Sequence, residues 1–297
     1  MRLSTTTDAM SCLYGDEEAM RRLAEAGFDA VDFSLFVHTN DSELLSGPES
    51  GFVRHCEKVK RAADASGISF GQVHAPMVLF PDTQEKLDEY VRLTKRALLA
   101  AGIFSCPYVV IHPIVHPDCR YDRGHEENKQ INLAFYPRLI EAARENHTKI
   151  AIENLFNWDP DSKRICPTVC STAEEQAEYV DTFNEIAGEE RFAACLDTGH
   201  PTLVGIRPEE MVPVLGKRLQ VLHVQDTNGV NDLHTLPYYG GAVNGAALCD
   251  ALREVGYAGT FSFEGDAFVK CLPKSCWFEA ERMIHTVGRA MIARITD

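Results

Sequence analysis

FAACLDTGH, residues 192–200, decides how the chain is read. It is an apolar, strand-like run from Phe192 to Leu196, and its polar residues, Asp197 and His200, come only at its C-terminal end. The same design recurs on both sides. Downstream lie LQVLHVQD (219–226) and GTFSFEGD (259–266); upstream lie KIAIENLF (149–156), PYVVIHP (107–113), ISFGQVHAP (68–76), FDAVDFSLF (28–36) and RLSTTT (2–7). Amphipathic stretches separate these runs: 16–27 with Gly27 as its stop, one ending at Ser66-Gly67, then 83–101, 126–146, 172–187 and 276–295. Residues 157–167 read as a loop.

Eight strand runs, each followed by a helical stretch, predict an α/β protein, a single (β/α)8 TIM barrel over residues 1–297. A doubly wound sheet is the structural alternative. It commonly carries a glycine-rich phosphate turn, and neither a G-x-G-x-x-G after the first strand nor a P-loop is found.

Composition narrows the class. With 45% apolar and 25% charged residues the chain is ordinary globular protein. Its 29 Lys and Arg against 44 Asp and Glu give a net charge of −15, which repels nucleic-acid backbones and anionic lipid and suits a neutral substrate. Ten cysteines, Cys119 among them, include no C-x-x-C pair; Cys166 and Cys170 would need metal partners that the sequence does not offer. The start, MRLSTTTDAM, lacks an apolar signal core, and no run is long enough to span a bilayer. The expectation is a cytoplasmic enzyme with reduced thiols, with neither nucleic acid nor membrane as partner, and compatible with a homo-oligomer.

In a barrel all strand ends open on one face, where active sites are built. His74 ends the third run, His112 the fourth and Glu153 the fifth; Asp197 and His200 end the sixth, His223 the seventh and Glu264 the eighth. Taken singly, each has the bland reading of a side chain bonded to a loop. Together, carboxylates and imidazoles are costly to desolvate unless a cation neutralises them. Glu153, Asp197, His223 and Glu264 offer three carboxylates and one imidazole, an oxygen-rich set that suits a divalent ion, Mn2+ first, with Mg2+, Co2+ or Zn2+ as alternatives.

IAIENLF, CLDTGH, LHVQD and FSFEGD resemble the xylose isomerase-like barrel superfamily of sugar isomerases, ketose 3-epimerases, inosose-processing enzymes and endonuclease IV, over nearly the whole chain. The likeness to the 3-epimerases implies that Glu153, Asp197, His223 and Glu264 bind one metal and that His200 contacts substrate. NDLHTLPYYGGAVNG (231–245) is similar to a further family stretch through Asp232, His234, Gly241, Val243 and Asn244, with one extra residue and with Gly245 where an aromatic is usual. Gly229 stands where the 3-epimerases place an arginine, which argues against epimerisation at the third carbon of a ketose. The likeness to endonuclease IV supplies candidates for a three-zinc, nine-ligand site: His74, His112, Glu153, Asp197, His200, His223, Asp232, His234 and Glu264. The stretch after the second strand, HTNDSELLSGPES (38–50), is polar to acidic rather than a basic, aromatic DNA-binding loop.

The expected chemistry is isomerisation or epimerisation of a small sugar, keto-sugar or polyol by proton abstraction next to a carbonyl. The metal steadies the enediolate, and Glu153 and Glu264 serve as the acid/base pair. His74, His112, His200, Asp232, His234 and Trp158 are expected to bind substrate; for Trp158, and likewise Tyr238 and Tyr239, the other reading is a loop anchor. Asp32, in AVDFSL, either reaches substrate or caps the next loop. His38, His55, His116, His125, His147 and His285 read as surface or structural. An inosose dehydratase-like lyase would use the same proton abstraction, an abasic-site nuclease would need three metals, and a binding barrel would have no use for the glutamate pair.

Overall fold

The computed structural model describes residues 1–38, 42–117 and 124–297. Cys119 and residues 39–41 of the acidic stretch lie outside the described residues. The strands are β1 (Leu3–Thr6), β2 (Ala30–Ser34), β3 (Ser69–His74), β4 (Tyr108–Ile111), β5 (Lys149–Glu153), β6 (Phe156–Asp159), β7 (Arg164–Pro167), β8 (Phe192–Asp197), β9 (Leu219–His223) and β10 (Phe261–Phe263). Eight of them form one parallel sheet in the order β10-β1-β2-β3-β4-β5-β8-β9. The sheet closes on itself where Val224 bridges Phe263, with Val224 N–H donating to the Ser262 carbonyl (2.8 Å) and Glu264 N–H to the Val224 carbonyl (3.1 Å). The expected TIM barrel is the fold observed.

A helix follows each barrel strand before the next, as the amphipathic runs imply. The long ones include Asp16–Ala26, Glu49–Ser66, Gln84–Phe104, Ala173–Ala187 and Trp277–Thr296. Thr83 and Thr172 cap two of them, their hydroxyls accepting from the N–H groups of Lys86 and Glu175. The stretch read as one helix over 126–146 is broken: His125–Phe135 passes through a 3-10 turn at Tyr136–Leu139, where Pro137 removes a backbone donor, into Ile140–Glu145. Residues read as a loop, 157–167, form most of the antiparallel hairpin β6–β7, in which Trp158 pairs with Ile165 and Phe156 with Pro167.

Apolar burial divides into two zones. The main core lies between the barrel wall and its helices and includes Phe33, Phe104, Phe183, Phe192, Phe261 and Phe263. Inside the barrel a small cluster of Val110, Ala151, Cys195 and Val221 fills the space below the mouth. Along each strand the next inward position towards the C-terminal end is polar. Glu153, Asp197 and His223 are the last residues of β5, β8 and β9, His74 is the last of β3, and Glu264 follows β10 directly.

Candidate metal centre

The strand ends converge. One ligand atom from each of Glu153, Asp197, His223 and Glu264 lies within 4.8 Å of the others. His223 Nδ1 is 3.2 Å from Glu153 Oε1 and 3.2 Å from Glu264 Oε2. Two further groups share this compactness: His74, Glu153 and His223, which overlaps the first, and His200, Asp232 and His234, which does not. His112 completes the ring, its Nε2 3.1 Å from Glu153 Oε2.

Whether the donors suit a cation is tested by their unmet bonding. Both carboxylate oxygens of Glu153, Glu264 Oε2 and His223 Nδ1 are buried without a hydrogen-bond partner. Native proteins rarely leave such atoms unsatisfied, and an ion in their midst is one physical resolution. Asp197 is prepared differently. Its Oδ1 accepts from the N–H groups of Gly199 and His200 (2.8 Å each) and from the Gln225 amide (3.1 Å), whereas Oδ2 has only a longer contact from that amide (3.3 Å) and is the oxygen better placed for a ligand. The side-chain amide of Asn154 donates to the Asp197 carbonyl and accepts from the Asp197 N–H, tying β5 to β8.

The imidazoles are aimed by their second nitrogens, as metal-ligating histidines commonly are. His74 Nδ1 meets the Ala75 carbonyl (2.8 Å), His200 Nδ1 the Asn154 carbonyl (2.8 Å), and His223 Nε2 the Asp32 carboxylate (3.0 Å). Asp232 and His234 arrive from the 224–244 loop, and His234 Nε2 is 2.9 Å from Asp232 Oδ2. Gln225 links the two groups by donating also to Asp232 Oδ1 at 3.1 Å. The glycine of the D-T-G-H run has a steric reason here: a Cβ on Gly199 would lie 2.4 Å from the Gln225 amide. His234 takes a left-handed φ of +43°, a conformation kept where surrounding structure enforces it.

The crowding shows in the charges. Burial opposes ionisation of Glu153, yet the imidazoles of His223 and His112 hold it well below the usual carboxylate range. Burial pushes Glu264 up to about 7, and Asp197 is raised for the same reason. Burial would lower His74 and His200, but Glu153 pushes the first up to about 9, and Asp197 with Asp232 the second up to about 10. His223 and His234 are likewise raised, by neighbouring acidic groups that include Glu264, against the pull of burial, whereas burial wins at His112 and lowers it. Protons thus neutralise a site that a divalent ion would neutralise by displacing them.

Trp158 sits on β6, 54% exposed, while Phe156 on the same hairpin packs edge-on against His200 at 5.0 Å and Phe36 against His74 at 5.3 Å. Tyr238 and Tyr239 are exposed on the 224–244 loop. Asp32 is fully buried beside His223, so it neither reaches the open mouth nor caps a loop there. His38 and His55 both contact the buried carboxylate of Asp16, at 3.1 and 2.7 Å. A rim of Asp8, Asp266 and Lys270 adjoins the site, with Lys270 Nζ 2.8 Å from Asp266 and Asp266 3.7 Å from His234 Nδ1. No strand-end signal marks Lys270, which follows on the short helix after β10. Cys166 and Cys170 join no metal-competent group among the described residues.

Among solved structures, a putative xylose isomerase from Rhodospirillum rubrum is similar at 13% identity, covering 98% of this chain and 99% of that one, with a TM-score of 0.79. The IolI protein, with a bound zinc atom, is 19% identical over 97% of this chain and 98% of its own (TM-score 0.72). A D-tagatose 3-epimerase-like protein is 21% identical over 96% and 99% (TM-score 0.68). At these identities the likeness establishes the shared fold. The xylose isomerase-like TIM barrel family matches residues 20–281, and the chain belongs to that family.

Proposed function

We propose that residues 1–297 act as one cytoplasmic, metal-dependent isomerase or epimerase of a small sugar, keto-sugar or polyol. The observation that carries this reading is the pair of glutamates with buried, unpartnered oxygens, Glu153 and Glu264, each 3.2 Å from His223 Nδ1. They enter from β5 and the end of β10, with β8 and β9 between them, so they approach the centre from different directions. Glu153, Asp197, His223 and Glu264 would hold the ion, and their oxygen-rich character favours Mn2+, with zinc, as in the IolI protein, the alternative. When bound, a divalent ion supplies Lewis-acid stabilisation of the negative charge that develops on the substrate's oxygens.

The side chains supply the rest. One glutamate takes the proton from the carbon next to the carbonyl, and either it or the other returns a proton. His200, oriented by the Asn154 carbonyl, presents Nε2 to a substrate hydroxyl. His74, His112, Asp232 and His234 bind further hydroxyls, and the hairpin bearing Phe156 and Trp158 offers an apolar wall for sugar C–H faces. The D-tagatose 3-epimerase-like structure supports a sugar substrate. Proton exchange in deuterated water, screened over ketoses, aldoses and inososes with Mn2+ present, tests the reading; no exchange with any of them would defeat it.

A second reading is favoured by one observation, the two extra groups around Glu153 and around Asp232. Three ions held together would suit phosphodiester cleavage as in endonuclease IV. Metal analysis returning three tightly held zinc ions per chain, with cleavage of abasic DNA, would move the assignment there.

A further inference from the structure

His223 uses one ring nitrogen for the centre and the other for a buried carboxylate. Its Nε2 lies 3.0 Å from Asp32 Oδ2, and the same oxygen accepts the Gln72 amide at 3.0 Å. That amide also reaches the carbonyl of Leu222, the residue before His223, at 3.3 Å. Gln72 on β3 therefore ties the β2 carboxylate to the β9 backbone across the barrel. We infer that Asp32, clamped by Gln72, is a positioning residue that fixes the tautomer and orientation of His223 so that Nδ1 faces a divalent ion. This rests on the metal-centre reading above.

The argument is geometric. All three side chains are fully buried, so no water competes for these bonds. Asp32 Oδ2 already accepts from the Gln72 amide, so the ring nitrogen is the donor in this contact, which places a proton on Nε2 and leaves Nδ1, on the side of Glu153 and Glu264, for the ion. Asp32 Oδ1 has no partner, so the carboxylate is engaged through the single oxygen that meets the ring and the amide.

The strand register is adapted to this contact. Val31 pairs with Phe70, but Asp32 pairs with Gln72, so Gly71 is one residue extra in β3. Such bulges re-aim side chains beside functional sites. Here the bulge brings Gln72 level with Asp32, and both are directed into the barrel towards β9.

The test titrates Mn2+ and Co2+ calorimetrically into the full-length wild-type protein and into Asp32→Asn, Asp32→Ala and Gln72→Leu. Thermal melts confirm that each variant is folded, and nitrogen-15 NMR of the zinc-loaded protein reads which nitrogen of His223 carries the proton. Asp32→Ala, which removes both orientation and charge, is expected to weaken Co2+ binding by about 10–100-fold, the range for lost outer partners of metal-ligating histidines. Asp32→Asn keeps an acceptor and should lose less. Gln72→Leu, which touches no ligand, should lose least but in the same direction, and wild-type His223 should carry its proton on Nε2. Unchanged affinity in Asp32→Ala, or a wild-type His223 protonated on Nδ1, overturns the positioning role while leaving the metal centre intact. A wild-type protein that binds neither ion overturns the metal centre and the role together. Should Asp32→Ala fail to fold, Asp32→Asn and the tautomer decide.

Discussion

Four candidate ligands and two of their neighbours are held in place by opposite means. Glu153, Asp197, His223 and Glu264 stand at the ends of hydrogen-bonded barrel strands, so their convergence follows from the barrel itself. Asp232 and His234 ride on the 224–244 loop, where Asp232 bonds to His234 and to Gln225 and lies 3.8 Å from His200 Nε2. Asp226 organises that loop. Its Oδ1 accepts from the N–H groups of Thr227 (2.8 Å) and Val243 (2.9 Å), and its backbone exchanges two bonds with Thr235. A Cβ on Gly241 would lie 2.2 Å from the same carboxylate, so the turn closes only over a glycine. Positions set by strands resist single substitutions; positions set by a loop carboxylate should not.

The largest effect is expected from the strand-borne set. Glu264→Gln keeps an oxygen ligand but cannot take up a proton, so turnover should fall by at least about 10²–10⁴-fold while Mn2+ affinity falls less. Glu153→Gln should do the same, and solvent proton exchange should separate the two if each serves one face of the substrate. Near-normal turnover in both variants would reduce the pair to structural ligands.

Asp226→Ala probes the loop-borne set. It leaves two buried N–H donors without partners, so hydrogen exchange over 227–243 should quicken. KM should rise roughly tenfold, the effect of losing about 1.4 kcal/mol of substrate binding, with Mn2+ affinity little changed. If metal affinity collapses along with KM, the two groups form one unit and the contrast between them fails.

Chelation compares the groups through stability. Mn2+ at about 100 times its dissociation constant adds roughly 2.7 kcal/mol to the folded state, worth about 5–10 °C in Tm. The gain should vanish in a Glu153→Ala, Glu264→Ala double variant and persist in His234→Ala. Its persistence in the double variant would show that the ion sits elsewhere.

The barrel was legible because apolar runs ending in polar residues, such as FAACLDTGH and IAIENLF, state both the strand and the end that faces the mouth. The same signal marked His74, Glu153, Asp197, His223 and Glu264, which the structure gathers. Asp32 was ambiguous for a physical reason: its role depends on a one-residue bulge at Gly71 and on Gln72, and neither the register nor the cross-barrel contact is encoded in local periodicity. Lys270 and Asp266 were missed because they follow the last strand on a five-residue helix, where charged residues ordinarily signify nothing. The hairpin at 156–167 read as a loop because its strands have four residues each and are rich in polar side chains.

The smallest expected effect comes from a buried carboxyl that lacks the imidazole partners found at the mouth. Glu281, on the C-terminal helix, is fully buried, and its bond from the Thr5 hydroxyl is long, at 3.5 Å. Burial pushes it up to about 8, with the Thr5 contact lowering it and Asp266 raising it further. Burial acts on Glu153 in the same sense, yet the histidines around Glu153 reverse the outcome. Because the folded state holds the Glu281 proton more tightly than the unfolded chain does, its contribution is fully present below the ordinary glutamate range near 4.5 and is lost as pH rises through about 8. Wild-type Tm should therefore carry a declining component between pH 5 and pH 8. Glu281→Gln, which mimics the protonated form at every pH, should remove that component, leaving Tm little changed at pH 5 and raising it by several °C at pH 8. A variant whose Tm differs from wild type by the same amount at both pH values would show that Glu281 is ionised in the folded protein, with an unrecognised partner doing for it what the histidines do for Glu153.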